Sequence, residues 1–247
     1  TAAYYRRNAW AGALRDDNGR WVLDSPLSNA TAHYLHNMLY VLGETRETSA
    51  APARIEAELY RANAIGNHDT AFVGCRTAAG VAIFFHTAHA VPSNIGPVAR
   101  YDFENAVVTL TSGAAEGLAA RFANGAVKIY GNPDEQVFRK LWECVEAVRG
   151  GAPPACGVRA AIPHLLCVNG AQDSMPEIAA FPATAIRREP RGENDTLTWV
   201  TGLQAAMIQC HDQNLLPHDH GDFAWARAGR PVELSGYNHF PGGRETT

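Results

Sequence analysis

Apolar positions along the 247-residue chain change their spacing twice. Between residues 29 and 43 the spacing is helical. Leu35, Met38, Leu39 and Leu42 stand at offsets i, i+3, i+4 and i+7, so at ~100° per residue they form one stripe of a helix laid on a core. Asn29, His33, His36, Asn37 and Tyr40 lie on the opposite side. Asn29 is placed to cap the first turn through its side-chain oxygen, and Gly43 to close the helix in the left-handed conformation.

From residue 53 to 130 the pattern becomes that of strands. Arg54-Ile-Glu-Ala-Glu-Leu-Tyr60 alternates, with Ile55, Ala57 and Leu59 on one side and Glu56, Glu58 and Tyr60 on the other, which predicts a half-exposed strand. Residues 70–77 and 81–91, either side of Ala78-Ala79-Gly80, read as the arms of a hairpin, and 100–103, 106–111 and 126–130 as shorter strands. Helical spacing then returns. Pro133-Asp134 opens a helix carrying Val137, Phe138, Leu141, Trp142, Val145 and Val148 on one face and stopped by Gly150-Gly151. Val158 to Val168 predicts a second, with Pro163 tolerable only near its first turn, and a third runs from Thr201 to about Gln213. Residues 1–28 read as an aromatic loop leading into the first helix, 176–199 as a loop, and 214–247 as an extended tail.

Strands in succession followed by helices predict an α+β fold over residues 1–247: an open, mostly antiparallel or mixed sheet with helices packed on one face. The other face is then wet or paired with another chain. Strand 81–91 is apolar at both alternations, so a homo-oligomer formed through that open face is expected.

Composition narrows the function classes. At 46% hydrophobic the chain can bury a real core, and a net charge of −4 with no cluster of Lys or Arg speaks against nucleic acid and anionic membranes as partners. No apolar run is long enough to span a bilayer, and no basic-then-apolar leader is present. Five scattered cysteines without a Cys-x-x-Cys suggest reduced thiols in a cytoplasm. The chain begins at Thr1 and its first methionine is Met38, which fits either an upstream portion that is not represented or removal of an initiator methionine.

Candidate chemistry is sparse. There is no Gly-x-Gly-x-x-Gly, no phosphate-binding loop and no Gly-x-Ser-x-Gly elbow, and the only lysines are Lys128 and Lys140. His33 carries the side chain best suited to proton transfer near neutrality, although a solvated helix face accounts for the same residues. Tyr4-Tyr5-Arg6-Arg7-Asn8-Ala-Trp10 combines donors for hydroxyls and carboxylates with rings on which sugars stack, or is an aromatic loop on the surface. His211, His218, His220 and Asp222 offer a divalent-metal alternative of hydrolase type.

The order of these features resembles the C-terminal domain of the Gfo/Idh/MocA oxidoreductases, the family of glucose-fructose oxidoreductase and inositol dehydrogenase. The resemblance rests on the aromatic Arg/Trp loop, on Trp21-Val-Leu-Asp24-Ser-Pro-Leu-Ser-Asn29-Ala-Thr-Ala-His33-Tyr-Leu-His36-Asn-Met-Leu-Tyr40-Val-Leu-Gly43, and on the strands that follow. It implies a substrate-binding and dimerising half, separate from an N-terminal Rossmann domain that holds NAD or NADP. It further implies hydride transfer on a sugar-, cyclitol- or polyol-like substrate, with this chain alone inactive. His33 falls at the family's acid/base histidine and Asn29 at its aspartate, while Arg7, Asn8, Trp10, His36 and Tyr40 are expected to bind substrate. Asn29 cannot ionise, which also leaves room for a non-catalytic carbohydrate-binding or scaffolding module.

Overall fold

The computed structural model describes residues 1–111, 113–133 and 138–241, and these form two units: Thr1–Pro92 with Ala155–Thr247, and Ser93–Pro154. Strands predicted as one sheet over 53–130 are therefore shared between two sheets. The division falls in Pro92-Ser-Asn-Ile-Gly-Pro97, where two prolines withhold backbone donors and end ladder pairing.

The larger unit begins with α1 (Ala2–Arg6), an aromatic loop and α2 (Ala32–Val41). Its sheet runs β11-β1-β2-β3, from β1 (Pro52–Arg61), β2 (Thr70–Thr77), β3 (Ala82–Ala88) and β11 (Val232–Glu233), all antiparallel. The short β8 (Ala179–Ala180) pairs parallel with the end of β1 at Tyr60 and Arg61. Leu35 and Leu39 of α2 and Cys167, Val168 and Ala171 of α4 (Val158–Ser174) bury themselves on Ile55, Ala57, Leu59, Ala71 and Val73. Met38 and Leu42 pack at the margin of that cluster, so the helical stripe seen in the sequence is the stripe that is covered. Pro163 sits in the second turn of α4, deeper than expected, and withholds a donor from the carbonyl of Arg159.

The second face of this sheet is not open. Tyr60 and Phe72 are buried there under Phe181, Leu203, Cys210, Leu216 and Trp225, contributed by the chain that follows β8, α5 (Leu203–Gln213) and α6 (Pro217–His220). Three expectations change as a result. Glu58 and Tyr60, placed on a wet face by alternation, are fully buried. Residues 176–199 are not simply loop, since β9 (Ile186–Pro190) pairs antiparallel with β10 (Thr196–Val200), a hairpin whose Arg and Glu side chains hid its alternation. The stretch 214–247 is not simply tail, because Leu216 and Leu234 are core residues. The apolar strand 81–91 thus finds cover within the chain, Ile83 and Phe85 in one cluster and Ala88, Ala90 and Val91 in the other.

The smaller unit is an antiparallel meander of β4 (Val98–Asp102), β5 (Ala106–Thr111), β6 (Leu118–Phe122) and β7 (Val127–Gly131), followed by α3 (Arg139–Val148). Asp134 and Val137, expected to begin that helix, lie outside the described residues. Phe122, Ile129 and Tyr130 of the meander and Leu141 and Trp142 of α3 are exposed. Among the described residues no helix is long and apolar enough to cross a membrane.

Candidate functional site

The site begins with a carboxylate. Asp24 is 4% exposed, and a buried charge of this kind survives only where donors surround it. Its Oδ2 accepts from the Gly12 N–H at 2.7 Å and its Oδ1 from the Asn29 amide at 2.8 Å, while Arg7 Nη2 lies 3.9 Å away. Gly12 has φ +71°, and a Cβ there would come within 3.0 Å of Ile65 and Tyr5, so only glycine can offer its N–H in this way. The backbone of Asp24 is fixed as well: its N–H donates to Ala13 O at 3.0 Å, and its carbonyl accepts from Asn67 Nδ2 at 3.0 Å.

Immediately after Asp24 the chain makes one wide turn over Pro26–Ala30, closed by an i→i+5 bond from Thr31 N to Pro26 O at 2.9 Å. Ser25, not Asn29, caps it. Ser25 Oγ accepts from the Ser28 N–H at 3.2 Å, and Ser28 Oγ accepts from the Ser25 N–H at 3.1 Å. Asn29 is thereby released from capping and turns its amide nitrogen to Asp24. The amide is planar, so its Oδ1 is the end left for a ligand.

Above these groups lies an open cleft of about 560 Å³. Trp10, Trp21 and Phe240 line it on the loop side, with the rings of Trp21 and Phe240 4.9 Å apart. Asp24, Ser28 and Asn29 form its polar floor, and His164, Val168 and Asn169 of α4 its far wall. His164 Nε2 lies 3.1 Å from Leu27 O. Burial holds its imidazole below the ordinary histidine pKa, helped by the neighbouring His36 and opposed by the bond to Leu27.

Of the residues expected to act together, the structure gathers some and separates others. Trp10 and Asn29 line the cleft. Arg7 stands beside Asp24 with its guanidinium over the Tyr4 ring at 3.7 Å, and Asn8 accepts from the Trp10 N–H at 3.1 Å, which shapes the loop. His33 is exposed in the first turn of α2, its ring 4.0 Å from that of Tyr34, and does not line the cleft. His36 does not line the cleft; its Nε2 lies 3.1 Å from Cys156 Sγ and its ring stacks on Tyr40, whose hydroxyl donates to Arg46 O at 2.8 Å. The reason is the wide turn: Asn29 precedes α2 and does not share its helical register with His33 and His36.

Asp24, Trp21, His164, Asn169 and Phe240 were not singled out from the sequence. Asp24 alone left a signal, as an acid in a Leu-Asp-Ser-Pro stretch before a helix. The others depend on contacts between distant segments.

The metal-centre alternative is not assembled. His218 donates to buried Glu58 from both its backbone N, at 2.9 Å, and Nδ1, at 2.8 Å, and Tyr60 also bonds Glu58. His220 instead pairs with Asp222 at 3.4 Å. Among the described residues no group of three or more His, Cys, Asp or Glu side chains is arranged to hold a metal ion. The bonds from His218 to Glu58 pin α6 to β1.

No protein-family model and no curated protein matches the chain. Solved structures do match. The WlbA dehydrogenase of Chromobacterium violaceum, crystallised with NADH and UDP-GlcNAcA, is 16% identical, with a TM-score of 0.51 over 70% of this chain and 49% of that one. The putative oxidoreductase yvaA of Bacillus subtilis is 10% identical, with a TM-score of 0.50 over 70% of this chain and 53% of that one. The chain spans about half the length of the structures it matches. These likenesses are of fold: the chain has the fold of the C-terminal part of Gfo/Idh/MocA-type oxidoreductases, as the sequence resemblance implied.

Proposed function

We propose that this chain is the substrate-binding part of a nicotinamide-dependent oxidoreductase acting on a sugar-, cyclitol- or polyol-like carbinol. The observation that carries the reading is the cleft, with aromatic rings on one side and a carboxylate-held amide at its floor. Rings of this kind bury the C–H faces of a polyol, and buried polar groups of fixed orientation read its hydroxyls. Asp24 orients Asn29, Asn29 Oδ1 accepts from a substrate hydroxyl, and Trp10 covers the ring, with Arg7 and Asn8 shaping the loop that carries it.

His33 is the proposed acid/base group for the part of the substrate that extends past Asn29 onto the first turn of α2. His36 and Tyr40 are the more distant side of that helix. The resemblance places NAD or NADP on a separate domain. The parallel pairing of β1 with β8 is only two residues long, and no glycine-rich turn joins a strand to a helix in the manner such cofactors need. In the proposal the nicotinamide is held by residues outside this chain, so the chain alone does not turn over. The unpaired cysteines suit a cytoplasmic setting, and self-association is assigned to the exposed meander rather than to β3.

The test is dehydrogenase activity of the longer parent against a panel of polyols with either cofactor. Substrate-dependent reduction of the nicotinamide that falls by at least tenfold in His33→Ala is expected, and unchanged turnover in that variant removes His33 from the mechanism. A second reading, a carbohydrate-binding or scaffolding module without catalysis, is favoured by one feature: Asn29 gives its amide to Asp24 and cannot act as a base. Polyol binding with no nicotinamide chemistry in the parent would select it.

A further inference from the structure

We propose that His164 of α4 is a ligand-reading residue of the cleft, accepting a hydrogen bond from a hydroxyl at Nδ1. The assignment rests on the polyol reading above. It follows from which nitrogen is already committed. His164 Nε2 lies 3.1 Å from the carbonyl oxygen of Leu27. A carbonyl has no hydrogen to give, so Nε2 carries the proton and donates. The same ring lines the cleft. In a neutral imidazole the second nitrogen is then a lone pair, and Nδ1 is the atom left to meet a ligand.

The surroundings keep the ring neutral. Burial disfavours its charged form, and repulsion from any charge on His36, whose ring centroid is 6.4 Å away, acts in the same direction. Asp24, the other ionisable group lining the cleft, already accepts one bond at each carboxylate oxygen, from the Gly12 N–H and the Asn29 amide. Ser28 Oγ donates to Leu23 O at 2.5 Å, which commits its proton. Asn29 and His164 both line the cleft, and Asn29 Oδ1 and His164 Nδ1 are the acceptors their other bonds leave for a ligand. A ligand matched to them brings donors at two points, as neighbouring hydroxyls do, and one whose carboxylate or phosphate oxygens met both points would leave lone pairs facing lone pairs.

The test separates the two nitrogens. Gln at position 164 can place its amide nitrogen where Nε2 lies and keep the bond to Leu27 O, while offering nothing at Nδ1. With myo-inositol as probe, His164→Gln should retain the wild-type unfolding midpoint yet bind about threefold to tenfold more weakly, the range a single lost hydrogen bond allows. His164→Ala should lose both. In the chain labelled with 15N-histidine, the ring signals at pH 7 should show a proton on Nε2 and a bare Nδ1 for His164, with Nδ1 shifting as myo-inositol is added.

Wild-type binding left unchanged in His164→Gln overturns the assignment and spares the polyol reading. A proton on Nδ1, or an imidazolium at pH 7, overturns the assignment independently of any ligand. Failure of the wild-type chain to bind myo-inositol overturns the ligand half of the proposal, and the nitrogen signals then decide the tautomer alone.

Discussion

The amide of Asn29 and the carboxylate of Asp24 fit each other in a way that an acid at position 29 would destroy. Two carboxylates held within hydrogen-bond distance cannot both stay ionised. Asn29→Asp should therefore destabilise the chain by about 1–3 kcal/mol at pH 7, and the difference from wild type should shrink as the pH falls from 7 to about 4, because the pair takes up a proton above the ordinary carboxylate range. Urea denaturation of both proteins at the two pH values measures this. Asp24→Ala should cost more, about 3 kcal/mol, because it leaves the Gly12 N–H buried without its acceptor and Arg7 without its counter-charge. An Asp24→Ala chain as stable as wild type would mean that the cleft floor is not held from this carboxylate.

At the scale of elements, the two fully buried residues of α2 are Leu35 and Leu39. Replacing either by Ala should lower stability by about 2–5 kcal/mol, whereas Val41→Ala on the exposed side of the same helix should stay within about 0.5 kcal/mol; thermal or urea unfolding distinguishes them. This stripe was legible from spacing alone, as were β2, β3 and α5, because each is a local pattern meeting one core. The start of α2 was not. Ser25-Pro26 takes over the cap and inserts a wide turn, so Asn29 leaves the register that the helical pattern assigns to it. The covered second face of the large sheet was equally hidden, since Leu216 and Trp225 reach it from a stretch whose Pro, Gly and His content reads as tail. The smaller unit shows the converse. Ile129 is 57% exposed on the edge strand β7, and exposed apolar edges invite pairing. Ile129→Lys should reduce self-association in sedimentation measurements while leaving the unfolding midpoint of the chain unchanged; identical sedimentation would move the contact elsewhere.

For the molecule as a whole, three buried histidines set the response to acid. Burial holds His68 at about 3 and His86 and His89 at about 4, against ~6.5 in an unfolded chain. Above ~6.5 all three are neutral in both states. As pH falls below that value the unfolded chain binds protons the folded chain refuses, so stability declines, by roughly 2 kcal/mol per histidine at about pH 5. His218 runs the other way: burial opposes its charge, but Glu58, Asp219 and Glu56 outweigh burial and raise its pKa, so its contribution is complete below ~6.5 and lost as pH rises through the raised value. His36 and His164 are held below the ordinary value as well, so the depressed histidines outweigh His218; the urea midpoint should drop steeply between about pH 6.5 and pH 5, and a flat profile would contradict the buried placement of these rings.

The central claim is a polyol site built from the aromatic loop, the Asp24–Asn29 pair and α4. Calorimetric titration of the chain with myo-inositol and a set of hexoses tests it most directly, in wild type and in Trp10→Ala and Asn29→Ala. The account predicts saturable binding of at least one of these compounds, weakened about tenfold or more in each variant, as expected for loss of a stacked ring or a fixed acceptor. Absence of saturable binding across the set, or binding that neither substitution alters, would contradict it.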